Sequence, residues 1–110
     1  AEATSEKQAM GIWLDGKVSA VFGTHTHVQT ADEKILPHGT GYITDIGMTG
    51  PHYSVIGMEA EGPLQTFVYG RRAKFEVATQ DIRINGIFLE IDSEGICQKI
   101  ERINIPFAEN

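Results

Sequence analysis

The last third of the chain alternates apolar and polar residues with the period of two that is typical of a β-strand. Ile87, Leu89 and Ile91 share one face of a run that ends at the turn sequence Asp92–Gly95, and the segment 96–105 follows it. Residues two apart in an extended backbone project to the same face, and a short polar run with Gly between two such segments indicates a hairpin. The pattern therefore predicts that the last third of the chain forms a β-hairpin within a sheet.

Upstream of this hairpin the sequence predicts one early helix followed by short strands. A Ser/Thr cap and a run of good helix formers predict a helix that begins at Thr4–Ser5 and ends at the Asp15–Gly16 signal. The apolar, β-branched run 18–24 predicts a buried strand, and the segment 63–69 gives a weaker helix signal. The other predicted elements are extended segments at 35–39 and 42–45 and β structure from Lys74 onward. The layout is α+β or layered α/β.

Composition excludes several classes of protein. The formal net charge of -6 over 110 residues argues against a basic surface for nucleic acid. No apolar run approaches the roughly 18 residues that span a bilayer, and no signal-peptide pattern opens the sequence. The single cysteine, Cys97, excludes an internal disulfide, and we interpret it as a small apolar filler in a strand. We expect a cytoplasmic protein without a membrane partner.

Two histidines, His25 and His27, stand where the predicted strand 18–24 runs out into a loop. In an extended backbone their Cα atoms would lie about 6.5 Å apart with both imidazoles on one side. They could then bind one metal ion, or one each of two ions about 3.5–4 Å apart. Gly23 removes a side chain where a ligand or a second backbone must come close. The pattern alone is equally compatible with two hydrogen-bonded histidines.

Nothing else in the sequence obviously completes a metal site, which needs at least three protein ligands. His38 and His52 each follow a proline in a turn-like segment, and we expect both to face solvent. Asp32 and Asp45 could ligate a metal or orient an imidazole through hydrogen bonds. Turns and caps are the commoner use of such aspartates.

Several motifs, taken in order, resemble one family of bacterial enzymes. Gly23-Thr24-His25-Thr26-His27 is similar to the last metal-binding motif of calcineurin-like metallophosphoesterases. Together with the segments 3–7, 28–33, 42–51 and 54–58, it resembles the YmdB-like branch of cyclic-nucleotide and RNA-associated phosphodiesterases. The resemblance covers nearly all of the chain and is far more specific than the two histidines alone.

The resemblance implies an α/β fold, a layered β-sandwich flanked by helices, of which this chain is the C-terminal, β-rich part. Residues 1–110 would form one segment, with the metal-motif helix and strands in 1–60 and the β-rich part in 61–110. The remaining metal ligands and the catalytic acid would belong to a missing N-terminal half. We therefore expect that half as a partner, and we expect the 110 residues alone to be inactive.

Carried over residue by residue, the resemblance makes His25 and His27 ligands, one to each of two metal ions, iron or manganese. The metals would activate water for attack on the phosphorus of a cyclic nucleotide or an RNA-derived phosphodiester. Asp32 and Asp45 lie within the motifs that carry the resemblance and would orient the metal ligands through hydrogen bonds. The exposed inner face of a half-sandwich also predicts self-association, so we expect a homo-oligomer.

Two other hypotheses stay open at this point. In the first, the segment Lys74–Ile105 forms a non-catalytic β-rich binding or interaction module, the histidines are incidental and stability does not depend on metal. In the second, the chain is a cupin-like barrel, because cupins also place Glu and Gly after a His-x-His pair. Glu33 and Gly39 lie near but off the usual cupin spacing, and Ser19 stands where the leading Gly belongs. We rank this hypothesis last.

Overall fold

The computed structural model describes residues 2–107, which form a mixed α/β chain. The elements in chain order are α1 (Thr4–Leu14), β1 (Ala20–Phe22), β2 (Lys34–Ile35), β3 (Gly41–Ile43), β4 (Gly50–Pro51), α2 (Glu61–Tyr69), β5 (Ile82–Ile91) and β6 (Cys97–Pro106). They divide between two compact units. Of the described residues, the first unit contains 2–48 together with Asn85–Asn104, and the second contains Thr49–Ile84 and 105–107. The predicted division near residue 60 stays a prediction.

Helix α1 has the predicted length but not the predicted cap. Ala3 occupies the cap position, Thr4 is already helical, and no described side chain caps the first turn. The end is as predicted, because Asp15 terminates the helix and Gly16 follows at a φ of 85°. A positive φ is easily adopted only by glycine, which explains the stop at this point.

The side of α1 that packs on the first unit carries small and polar residues. Gly11 is buried against Tyr42, since a Cβ at Gly11 would lie 2.6 Å from the ring carbon Cδ2. The other buried residue of the helix is Lys7, whereas the apolar Ile12 and Trp13 are exposed. The helix thus meets the sheet through a close backbone approach rather than through its apolar side chains.

The sheet of the first unit has the strand order β1-β3-β2, with β3 in the centre. β1 runs parallel to β3, from the pair Ala20 and Gly41 to the pair Phe22 and Ile43, and β2 is antiparallel to β3. β3 is buried at every residue. The prediction of a buried strand over 18–24 was wrong in extent, because β1 spans three residues at the edge of this sheet and Phe22 is exposed.

Cys97 is buried in the first unit, as the filler interpretation predicted. A Cβ at Gly41 would lie 2.8 Å from its Sγ, so the thiol packs directly on the central strand. A side chain larger than Cys at this position would displace β3.

β5 and β6 form the hairpin that was predicted from the alternating residues in the last third of the chain. The Gly95 N–H donates to the Asp92 carbonyl, and the Asp92 N–H donates to the Ile96 carbonyl, which closes the turn at 3.0 Å in both cases. β4 pairs antiparallel with the first residues of β5. The predicted strand from Lys74 to residue 81 was wrong, because this segment makes only an isolated bridge between Val77 and Met58.

Helix α2 confirms the weaker helix signal and begins two residues earlier than predicted, at Glu61. It ends at Gly70, which is in the left-handed conformation with a φ of 66° and donates its N–H to Thr66. Within residues 2–107, neither helix has the length and apolar character needed to cross a bilayer.

Candidate metal-binding loop

Residues 23–33 connect β1 to β2 without regular structure, and we call them the histidine loop. His25 and His27 are both exposed on it, with φ angles of 104° and 67°. The predicted loop is therefore confirmed, whereas the extended backbone from which the spacing of the two imidazoles was worked out is not present. A positive φ at a residue with a Cβ costs about 1–3 kcal/mol and persists only where surrounding contacts impose it. The loop holds both histidines in conformations that they would not adopt by themselves.

Gly23 starts the loop at a point of close backbone contact. A Cβ at this position would lie 2.1 Å from the Thr44 carbonyl oxygen. The Gly23 carbonyl oxygen accepts the Ile46 N–H at 2.9 Å. Of the two partners expected at this glycine, a ligand or a second backbone, the structure has a second backbone.

The fixed point of the loop is the carboxylate of Asp45, which is 0% exposed. Its Oδ2 accepts both the backbone N–H of Thr26, at 3.0 Å, and the Thr26 hydroxyl, at 2.8 Å. Its Oδ1 accepts the Gly47 N–H at 2.8 Å. Thr26 is the residue between the two histidines, so Asp45 fixes the backbone from which both imidazoles extend.

Lys7 of α1 completes this network from the other side. Its Nζ lies 3.1 Å from Oδ2 of Asp45 and donates to the Thr24 carbonyl oxygen at 2.7 Å. The residue is only 5% exposed, so a full positive charge is buried against a full negative charge. Lys7 was not among the site residues predicted from the sequence. The one available signal was a lysine on the side of α1 that also carries Gly11.

Asp32 ties the far end of the loop to Thr44, in the segment that follows β3. Its carboxylate accepts the hydroxyl of Thr30 at 2.7 Å, the N–H of Thr44 at 3.0 Å and the hydroxyl of Thr44. Thr30 in turn pairs with the backbone of Asp45 in both directions, at 3.0 Å each. Both aspartates singled out from the sequence therefore brace the loop at its two ends, and the bonds described here run to threonines, Gly47 and Lys7.

These contacts also set the charge state of the two carboxyls. Burial raises the pKa of Asp45, but hydrogen bonds from Gly47, Thr26 and Lys7 outweigh it and hold the pKa below the ordinary value. For Asp32, burial again raises the pKa, and the hydrogen bonds from Thr30 and Thr44 bring it below the ordinary value. Both groups are thus carboxylates at neutral pH, as their role of accepting several hydrogen bonds requires.

A lowered pKa in the folded state predicts a defined loss of stability in acid. Each carboxylate stabilises the fold fully above the ordinary aspartate value of 3.8, and this contribution disappears as the pH falls through the lower, folded-state pKa. We expect the free energy of unfolding of the intact polypeptide to fall between about pH 6 and pH 3. In Asp32→Asn the fall should be smaller, because an amide does not titrate. Urea denaturation at the two pH values measures both, and an equal fall in the variant would contradict the assignment.

The other two histidines contact other residues. His38 is exposed, as expected, and its Nδ1 lies 3.0 Å from the Asp15 carboxylate. His52 belongs to the second unit, where it is half-buried with its Nδ1 2.9 Å from the Gly50 carbonyl oxygen. The prediction that His52 faces solvent was wrong, because the turn after Pro51 folds the ring back onto the preceding strand.

The donor set decides what this loop can do with a metal ion. Within residues 2–107, no three His, Cys, Asp or Glu side chains are placed to hold one ion together. The two imidazoles are exposed, and imidazole nitrogen suits transition metals such as iron and zinc. His25 and His27 could therefore contribute two imidazole ligands, but the described residues place no third ligand beside them.

The chain is similar to one protein family and to individual members of it. The family model described as YmdB-like protein matches residues 1–103. The 2',3'-cyclic-nucleotide 2'-phosphodiesterase of Bacillus subtilis (strain 168) is 51% identical over 106 residues, which are 96% of this chain and 40% of that protein.

Two solved structures are also similar. A crystal structure described as a novel phosphatase of Mycoplasma pneumoniae has a TM-score of 0.89 and 46% identity, and the match covers 96% of this chain and 38% of that one. A hypothetical protein from Thermus thermophilus gives a TM-score of 0.87 at 45% identity, over 96% of this chain and 42% of that one. The chain thus spans about 40% of the length of the relatives that it matches. It belongs to the YmdB-like protein family.

Proposed function

We propose that the polypeptide containing this chain is a metal-dependent phosphodiesterase, and that His25 and His27 supply two of its metal ligands. The observation that carries the proposal is the pair of exposed histidines held at positive φ on both sides of Thr26. Strained residues that a buried network imposes are concentrated at functional sites. A pair of incidental surface histidines would have no need of the bonds from Thr26 to the buried Asp45.

When bound, two metal ions, iron or manganese, would lower the pKa of a water molecule and neutralise charge on the phosphoryl oxygens. The role of this chain is to hold the ligands still. Asp45 fixes Thr26, Lys7 fixes Asp45 and Thr24, and Asp32 fixes the end of the loop. Ligands on a loop that is fixed in this way lose little freedom on binding a metal.

The proposed substrate is a phosphodiester, specifically a cyclic nucleotide or an RNA-derived diester. The name of the Bacillus subtilis relative supports the cyclic nucleotide. The composition supports a metal-centred binding mode, because a chain with a net charge of -6 needs positive charge from another source to attract a phosphate.

The remaining ligands and the acid that protonates the leaving group are proposed to come from the part of the polypeptide outside these 110 residues. Two observations support this: the chain spans about 40% of its relatives, and large apolar residues such as Trp13, Phe22 and Val28 are exposed on the first unit. We further propose that the polypeptide folds as a layered β-sandwich that covers these apolar residues. We also propose that it is located in the cytoplasm.

Chelation of the intact polypeptide tests the proposed activity. We expect it to hydrolyse a 2',3'-cyclic nucleotide, to lose the activity after treatment with a strong chelator, and to regain it on addition of manganese or iron. A buffer exchange without chelator is the control. Hydrolysis that persists after the metals are removed would contradict the proposal.

A further inference from the structure

Gln29 of the histidine loop reaches both strands of the β5–β6 hairpin. Its side-chain Nε2 donates to the carbonyl oxygens of Ile46, Gly86 and Ile103, at 3.1, 3.2 and 3.0 Å respectively. Gly86 belongs to β5 and Ile103 to β6, whereas Ile46 directly follows the buried Asp45. One side chain therefore joins the loop to the hairpin, across 57 and 74 residues of sequence.

The contact requires an amide. Because three carbonyl oxygens surround one atom, that atom is the donor nitrogen of the amide rather than its acceptor oxygen. The nitrogen has two N–H groups for three acceptors, so one N–H is shared between two of them. A glutamate has the same shape, but its carboxylate would place an oxygen against three carbonyl oxygens without a donor. Position 29 therefore depends on hydrogen-bond donation and not on shape alone.

Gly47 provides the space in which the Gln29 side chain lies. A Cβ at Gly47 would lie 2.8 Å from the Gln29 Cβ and 2.5 Å from the Asn85 Oδ1, too close for a larger residue to fit without movement. The Gly47 N–H donates to the Asp45 carboxylate. Gln29 and the carboxylate that anchors the loop therefore pack around the same glycine.

The two histidines of the loop depend on different anchors. His25 lies between Thr24 and Thr26, both of which bond to the buried ion pair. His27 has Thr26 on one side and Gln29 two residues along on the other. The conformation of His27, with its φ of 67°, is thus fixed from one side by the ion pair and from the other by the Gln29 amide.

We propose that Gln29 is a positioning residue of the metal site, whose amide holds His27 in place for metal binding. This inference rests on the proposed function, because the position of His27 has this use only if its imidazole binds a metal. The Gln29 Nε2 is engaged by carbonyl oxygens, so Gln29 acts through the backbone of the loop and not as a ligand. Without the amide, the imidazole has more freedom to lose on binding, and the affinity for the metal falls.

The metal requirement of the intact polypeptide tests the proposal. After chelation, activity on a 2',3'-cyclic nucleotide is measured against added manganese and, in a parallel series, against added ferrous iron. We expect Gln29→Met, which has a similar length and no donor, to raise the metal concentration for half-maximal activity by at least about tenfold, as is typical when a residue that orients a ligand is lost. Saturating metal should restore most of the wild-type kcat, which it would not do if the fold itself were lost.

Gln98→Met is the matched control, because it removes an amide donor from the same hairpin. The Gln98 Nε2 donates to the Asp92 Oδ2 at 2.9 Å, so its loss should leave the metal requirement unchanged. Gln29→Glu should raise the requirement more than Gln29→Met, because it replaces the donor with an oxygen. An unchanged requirement in Gln29→Met, or a loss of activity that saturating metal does not reverse, would overturn the proposal.

Amide hydrogen exchange of the metal-free polypeptide gives a readout that does not depend on activity. The N–H groups of Val28 and Thr30, on either side of Gln29, should exchange at least about tenfold faster in Gln29→Met, while those of α1 keep the wild-type rate. An equal acceleration in α1 would indicate general destabilisation and overturn the proposal. A wild type whose activity requires neither metal would contradict the proposed function, and with it the role of Gln29. A metal-dependent wild type whose requirement is unchanged in Gln29→Met would contradict this inference alone.

Discussion

We expect His25→Ala and His27→Ala each to lower kcat/KM for a 2',3'-cyclic nucleotide by at least about 100-fold in the intact polypeptide. Changes to residues that merely support a ligand typically cost about 10–100-fold, and removal of a ligand costs more. Each substitution leaves the bonds from Thr26 to Asp45 in place, and these bonds rather than the imidazoles impose the conformation of the loop. We therefore expect the variants to be folded and inactive rather than unfolded.

His38→Ala is the matched control for this prediction. His38 is also exposed, but its ring lies against Asp15 rather than on the histidine loop. Its replacement should leave kcat/KM at the wild-type value. If His25→Ala or His27→Ala retained wild-type kcat/KM, the histidine loop would not be part of the active site.

The second large effect is expected at the buried ion pair beneath the loop. In Asp45→Ala, the ammonium group of Lys7 stays buried without its counter-ion, and the Thr26 N–H loses its acceptor. Breaking such a pair by removing one partner costs about 3–5 kcal/mol. We expect a loss of this size in the free energy of unfolding of the intact polypeptide, measured by urea denaturation.

Two further variants distinguish the buried charge from general damage to the fold. The double variant Lys7→Met/Asp45→Asn should recover part of the loss, because no uncompensated charge is then buried. Glu33→Ala breaks the more exposed pair with Arg102, whose Nε lies 2.6 Å from Glu33 Oε2, and should cost less than about 1 kcal/mol. A loss in Asp45→Ala no larger than that in Glu33→Ala would contradict the role assigned to the buried pair.

Most of the secondary structure could be predicted from local sequence patterns. Both helices, the central strand β3 and the β5–β6 hairpin were predicted from residue composition and alternation, with Gly16 as the stop of α1 and the polar turn at Asp92–Gly95 as the end of the hairpin strand. The strand prediction for the segment from Lys74 to residue 81 failed because alternation alone does not show what an apolar residue packs against. Phe75 and Val77 are exposed there, and a strand with no buried face has little to stabilise it.

The histidine loop shows what local patterns cannot supply. The residues His25 and His27 and the bracing aspartates were found from the sequence, but the backbone conformation was not, since a positive φ is rare for a residue with a Cβ. The conformation depends on Lys7 and Asp45, which are 38 residues apart. A lysine in a run of good helix formers is normally expected to be exposed to solvent. The burial of Lys7 depends on the packing of α1 against the sheet, which the local sequence does not show.

Elemental analysis of the purified intact polypeptide tests the central claim most directly. The account predicts about two iron or manganese ions per polypeptide in the wild type and a clear loss of metal in His25→Ala/His27→Ala. His38→Ala should keep the wild-type content. Equal metal content in the wild type and the double variant, or a wild type purified under native conditions that binds neither ion when supplied, would contradict the assignment of this loop to a metal centre.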